Sequence, residues 1–152
     1  MIRWPCAVNN QALELTGTDT SGQPLKLSDY RGKVVLLDFG SHRACGVCRA
    51  FYPELRTLVE RFKQKPFALI SVNSLDDLEE LKGLVRDREM TWRVVWDGDA
   101  MEGPIFSQWM IRGMPTFYLL DHNGVIRNKG FIQADELAAT IEMLLKEQAT
   151  EP

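Results

Sequence analysis

Long basic stretches are missing from this chain of 152 residues, and its formal net charge is −3, so it lacks the electrostatic footprint of a nucleic-acid binder. No run approaches the roughly 18 consecutive apolar residues that a membrane-spanning helix requires. The opening residues Met1-Ile2-Arg3-Trp4-Pro5-Cys6 have no apolar core of a signal peptide, and Arg3-Trp4-Pro5 has none of the small residues of a lipid-attachment site. These absences predict a soluble chain as it stands, whether mature or excised from a longer precursor. Internal repeats and low-complexity segments are missing too. Cysteine is scarce, at three residues, and Arg49 rather than histidine follows Cys48, which disfavours covalent haem attachment. The remaining composition, 45% hydrophobic and 26% charged, is that of one ordinary globular domain able to bury a real core.

What the chain does have is Cys45-Gly46-Val47-Cys48, placed where the strand pattern Lys33 to Phe39 gives way to a helical one. A helix start offers unpaired N–H groups and partial positive charge, which stabilise a thiolate near neutral pH. Residues three apart lie one turn apart on the same face, close enough to bridge. The spacing therefore predicts Cys45 at an exposed lip as the attacking thiol. Cys48, one turn deeper, is then the thiol that resolves the mixed disulfide. An inert staple or a pair of small buried side chains is the alternative.

Around this motif, Ala12 to Thr16 and Pro24 to Ser28 alternate about a glycine-bearing turn and predict a hairpin. Val47, Phe51, Leu55, Leu58 and Phe62 predict an amphipathic helix, bent by Pro53 so that its first turn points elsewhere. Phe67 to Val72 reads as a doubly covered strand, Leu75 to Arg88 as a helix, Arg93 to Trp96 as a strand, and Ile105 to Ile111 as a short helix. Thr116 to Asp121 and Val125 to Arg127 flank an Asn123-Gly124 hairpin turn, and Ala134 to Glu147 closes the chain as a helix. The pattern predicts an α/β domain: a mixed central sheet with helices on both faces and an N-terminal hairpin. Its expected limits are residues 12–148, after a flexible leader over 1–11 and before a tail over 149–152. Cys6, in that leader, is expected to be a free, exposed thiol. Of the tryptophans at 4, 92, 96 and 109, none adjoins the cysteine pair in sequence, which predicts a weak fluorescence response to oxidation; Trp92 and Trp96 read as core or sheet-surface residues.

Three ordered motifs carry a family resemblance over nearly the whole chain: Leu27 to Leu36, Cys45-Gly46-Val47-Cys48-Arg49 with Pro53-Glu54-Leu55, and Arg112-Gly113-Met114-Pro115-Thr116 before Leu120 to Gly124. The sequence resembles the thioredoxin superfamily, and within it the TlpA/ResA-type thiol:disulfide oxidoreductases. That resemblance implies a thioredoxin-like fold and thiol–disulfide exchange on protein or peptide substrates, in the direction of reduction and without a cofactor beyond the dithiol. It implies that Pro115 is the cis-proline facing the dithiol, with Met114 offering its backbone to an extended client and Gly113 keeping the approach open. Asp38 matches the buried acid that takes the proton of the resolving thiol; a strand-end residue bonded to its loop is the other reading. The resemblance further implies a monomer in an extracytoplasmic bacterial setting, with the cytoplasm as the alternative, and an electron donor that the sequence does not name.

Departures from the family pattern are concentrated beside the motif. The family writes Phe-Trp-Ala-x-Trp-Cys-Gly-Pro-Cys, whereas this chain writes Phe39-Gly40-Ser41-His42-Arg43-Ala44-Cys45-Gly46-Val47-Cys48, one residue longer and without the rings. The extra residue can shift Asp38 out of register with Cys48. His42, Arg43 and Arg49 form a cationic cluster, read either as solvated charges or as a means of lowering the thiol pKa. Two other functions compete: a metal site built from His42, Cys45 and Cys48 with Cys6 as a fourth arm, and a redox-controlled binding or sensor module without turnover.

Overall fold

The computed structural model describes residues 4–100 and 103–152; the first three residues of the expected leader lie outside them. Strands β1 (Thr16–Thr18) and β2 (Pro24–Lys26) form an antiparallel hairpin. The first strand is shorter and later than Ala12 to Thr16, because Leu15 is spent on the core and its carbonyl receives the amide of Leu27 at 2.9 Å. The main sheet runs β5–β4–β3–β6–β7, with β3 (Val34–Gly40), β4 (Phe67–Asn73) and β5 (Arg93–Trp96) parallel, and β6 (Thr116–Leu120) and β7 (Ile126–Gly130) antiparallel. All seven residues of β3 are buried, as expected of a strand covered on both faces.

The order of the strands decides which face each helix covers. Passing from β3 to β4 to β5 moves along the sheet in one direction, so right-handed crossovers place the intervening helices on one side. These are α1 (Gly46–Ala50), α2 (Tyr52–Arg61) and α3 (Leu78–Arg86). Leu55, Leu58 and Leu81 pack there on Leu36, Leu69 and Val94, joined by Leu137 and Ile141 of α5 (Ala134–Thr150). The chain then returns toward β6, and α4 (Pro104–Gln108) falls on the opposite face with the hairpin, where Leu15, Leu25, Phe106 and Trp109 cover Val35, Leu37 and Phe39. Among the described residues no helix is long and apolar enough to cross a membrane.

Several boundaries differ from the sequence reading. The helix after β4 begins at Leu78 rather than Leu75, because Asp77 caps it by accepting the amide of Glu80, while Leu75 takes a left-handed φ of 58°. The short helix stops at Gln108, before Met110 turns left-handed at φ 54°. The last helix continues through residues 149 and 150, placed in the tail by the sequence, where the Gln148 amide reaches the carbonyl of Gly32 at 2.6 Å.

Cys6 is not the exposed thiol expected. It is 2% exposed and packs in the cluster that holds Trp109 and Tyr118, while the neighbouring backbone is tied down by Asn9 N to Ile126 O at 2.7 Å and a bridge between Gln11 and Val125. Burial raises the Cys6 thiol pKa, against a hydrogen bond with Tyr118 and the charge of Lys129. A small apolar side chain is gained by the core, which a reading of the leader as polar missed.

Candidate functional site

Cys45 and Cys48 are joined in a disulfide with Cα atoms 5.2 Å apart. Cys45 is the N-cap of α1 in extended conformation, and its sulfur accepts the amide of Cys48 at 3.0 Å. Since α1 has only five residues, a specific N–H directed at the sulfur, rather than a long helix dipole, supplies the local stabilisation of negative charge. The two residues were expected to differ in depth, yet they are 7% and 5% exposed. The asymmetry between them is one of hydrogen bonding, not of burial.

The bend expected from Pro53 falls at Phe51, between α1 and α2. Proline has no N–H for the carbonyl of residue 49 and its ring would clash there, so the first turn cannot run straight into the helix behind it. One consequence corrects the sequence reading: Val47, counted on the apolar stripe, leaves it and stands 52% exposed between the two cysteines.

The extra residue before Cys45 is absorbed by a loop braced from the side. Asp76, buried in the loop between β4 and α3, accepts the amides of His42 and Arg43 at 2.8 Å each, Ser41 Oγ at 3.1 Å and Asn73 Nδ2 at 2.9 Å. The cationic cluster is employed in the same bracing. Arg49 Nη1 donates to the carbonyl of His42 at 2.5 Å, and Arg43 Nε donates to Glu80 at 2.8 Å. His42 stacks on Tyr52 with ring centroids 5.9 Å apart, its Nδ1 lies 3.2 Å from the Tyr52 hydroxyl, and its Nε2 lies 3.6 Å from Glu80. Replacing Asp76 with asparagine turns one of its acceptor edges into a donor facing donors. Asp76→Asn is expected to cost about 2 kcal/mol in urea unfolding, and a cost below a few tenths would show that the brace is incidental.

Asp38 keeps its place behind the pair despite the longer loop. A Cβ built on Gly40 would stand 3.1 Å from Cys48 Sγ and 3.7 Å from Asp38 Oδ1, so sulfur and carboxylate both border one small gap. Only a residue without a side chain leaves that gap open. Asp38 is buried; burial pushes its pKa up to about 6, against the lowering effect of a hydrogen bond from Ser71 Oγ at 2.6 Å. Burial, together with the charges of Asp38 and Asp76, also pushes the Tyr52 phenol well above its ordinary value.

The third part of the site comes from the loop before β6. The Met114–Pro115 peptide is cis, and Thr116 Oγ1 closes the loop by donating to the carbonyl of Gly113 at 2.7 Å. Thr116 pairs with Phe39, which sets Pro115 beside Gly40 and hence beside Cys48. Nothing lies within 4 Å of a Cβ built on Gly113, so the approach to Met114 is open. A cleft of about 620 Å³ adjoins it, lined by Leu75, Phe106, Met110 and Met114 among others.

The metal reading gains no support from these positions. His42 is engaged with Tyr52 and Glu80, and Cys6 packs on the other face of the sheet. Ser71 and Asp76 were missed in the sequence. Ser71 was read as part of an apolar run, although a hydroxyl in a strand buried on both faces must find a partner, and that was its signal.

A cysteine pair opening a helix on a mixed sheet, with a buried acid behind it and a cis-proline loop beside it, defines the thioredoxin-like thiol–disulfide oxidoreductases. The chain belongs to the AhpC/TSA family, whose pattern it matches over residues 8–129. It is 24% identical over 139 residues to the thiol-disulfide oxidoreductase ResA of Bacillus thuringiensis subsp. konkukian, covering 91% of this chain and 77% of that protein. It is 31% identical over 103 residues to the chloroplastic protein SUPPRESSOR OF QUENCHING 1 of Arabidopsis thaliana, covering 64% of this chain and 9% of that protein. Among solved structures it superposes with a TM-score of 0.80 on the thioredoxin domain of a thiol-disulfide oxidoreductase from Bacteroides vulgatus, at 29% identity over 91% of this chain and 98% of that one. A thiol:disulfide interchange protein from Bacteroides sp. gives 0.77 at 28% identity, covering 92% and 91%.

Proposed function

We propose that this protein reduces disulfides in protein or peptide clients, with Cys45 as nucleophile, Cys48 as resolving thiol and Asp38 as proton acceptor. In the reduced protein the Cys45 thiolate attacks one client sulfur. The client S–S bond breaks, a mixed disulfide forms on Cys45, and the first client thiolate leaves and is protonated by water. Cys48 then gives its proton to Asp38 and attacks Cys45 Sγ. The Cys45–Cys48 bond forms, the mixed disulfide breaks, and the second client thiolate departs; two electrons have passed from dithiol to client. An external thiol reductant restores the dithiol. The client lies extended against Gly113, Met114 and Pro115, pairing with the backbone of Met114, and the adjoining cleft takes one of its apolar side chains. Likeness to ResA supports an extracytoplasmic setting, and the protein acts as a monomer.

The observation that carries this reading is the amide of Cys48 directed at Cys45 Sγ while Cys48 Sγ and Asp38 Oδ1 both border the space left by Gly40. Insulin reduction with catalytic protein and excess dithiothreitol tests it. Multiple turnovers per protein molecule are expected. A reducible Cys45–Cys48 bridge that supports no more than one turnover would replace an enzyme with a redox-controlled binding module.

A further inference from the structure

The two oxygens of Asp38 face different neighbours. Oδ2 receives the hydroxyl of Ser71, the residue paired with Asp38 across β3 and β4, at 2.6 Å. Ser71 Oγ in turn receives Nε1–H of Trp92 at 2.7 Å, and all three residues are buried. Oδ1 lies on the Cys48 side, 3.7 Å from the point that a Cβ on Gly40 would occupy. An indole nitrogen can only donate, so Ser71 must accept from it, and the single hydroxyl proton of Ser71 is left to point at Asp38.

We propose that Trp92 and Ser71 form a directional latch: they fill Oδ2 with a donor whose proton has no other acceptor among the described residues, and so reserve Oδ1 as the oxygen that takes the proton of Cys48. This rests on Asp38 being the proton acceptor and adds which of its atoms acts and what enforces the choice. A serine free to rotate could offer its lone pair to a proton on Oδ2, stranding it away from the sulfur. Turning round would take the serine proton off its one acceptor among the described residues, and the indole, a donor only, offers it no other. In the step itself the Cys48 S–H bond breaks, an O–H bond forms at Oδ1, and the electron pair stays on sulfur to attack Cys45 Sγ. Nothing is oxidised until that attack.

The other groups around Asp38 do not take over this role. Its β6 neighbour is Phe117, which does not titrate. From α2 comes Tyr52, neutral at working pH, with His42, Arg49, Asp76 and Glu80 arrayed beyond it. From α1 comes Cys48 itself. Trp92 and Ser71 are thus positioning residues acting through Asp38.

The test reads the proton as well as the rate. In the dithiol form, the Trp92 indole ¹H–¹⁵N resonance is expected to titrate together with the Asp38 carboxyl carbon, and to stay flat in Asp38→Asn. The resolving step is measured as release of a peptide thiol from a preformed mixed disulfide on Cys45. Ser71→Ala is expected to slow it about tenfold at pH 7 and to move its acid limb to higher pH, since the lost donor favoured the carboxylate. Trp92→Phe is expected to slow it about threefold with the serine intact, and Ser71→Thr to restore it. An unmoved pH profile in Ser71→Ala, alongside a normal dependence on Asp38, overturns the latch alone. An indole resonance indifferent to Asp38 protonation also overturns it, and needs no variant that might misfold. A wild-type rate in Asp38→Asn instead overturns the underlying reading of Asp38.

Discussion

Cys48→Ser is expected to halt the protein halfway, with one client molecule held on Cys45 and turnover reduced at least about a thousandfold, whereas Cys45→Ser should never capture a client. The reason is chemical rather than structural. Serine nearly matches cysteine in volume, so neither change opens a large cavity in a site where both residues are buried. But an oxygen at position 48 cannot close the Cys45–Cys48 bond that expels the client, and the mixed disulfide becomes the end of the path. Mass spectrometry of Cys48→Ser mixed with a disulfide peptide should find a stoichiometric adduct on Cys45, released by dithiothreitol. If adduct forms on Cys48 in the Cys45→Ser protein as readily as on Cys45 in the other, the assignment of attacker and resolver is reversed. Near-equal burial leaves that contest to the one hydrogen bond that distinguishes them, from the Cys48 amide to Cys45 Sγ.

The fold was readable in advance where periodicity is strong. The five strands of the main sheet, the last helix and the bend at Pro53 follow from apolar runs, alternation and the missing N–H of proline, all of which are local. What escaped depends on contacts between distant segments. Val47 fits a helical stripe by spacing, and only the break at Phe51 takes it out of that stripe. Cys6 sits in a polar stretch by composition, and only the fold brings Tyr118 and Trp109 over it. The added residue before Cys45 raised doubt about the register of Asp38 with Cys48, because a sequence shows the insertion and not Asp76, some thirty residues on, that folds it aside. Trp92 was read as core or sheet surface. It is buried, yet it also lies two hydrogen bonds from Asp38, a link made by a serine on β4.

Asp38→Asn is expected to make the oxidised protein more stable at pH 8 while slowing the resolving step roughly a hundredfold, a loss typical of removing a positioned general base. The stability effect follows from burial. The folded carboxyl titrates at about 6 against 3.8 unperturbed, so between those values the native state binds the proton that the unfolded chain has already lost. Unfolding free energy therefore falls as pH rises through this window, and above it the buried charge costs about 3 kcal/mol at 1.36 kcal/mol per unit. Below pH 3.8 both states are protonated and the cost vanishes. Carboxylates such as Glu147, held below the usual range by the hydrogen bond from Arg127, act with the opposite sign, losing stability as pH falls. They are common to both proteins and cancel in the difference. Denaturant titrations of wild type and Asp38→Asn should thus converge near pH 4 and separate by about 3 kcal/mol at pH 8, the variant being the more stable. A gap that is constant with pH would mean the carboxyl is not carrying a buried charge. In that case the proton would have to leave Cys48 by another route, and the fold would hold no strained base to drive the resolving step.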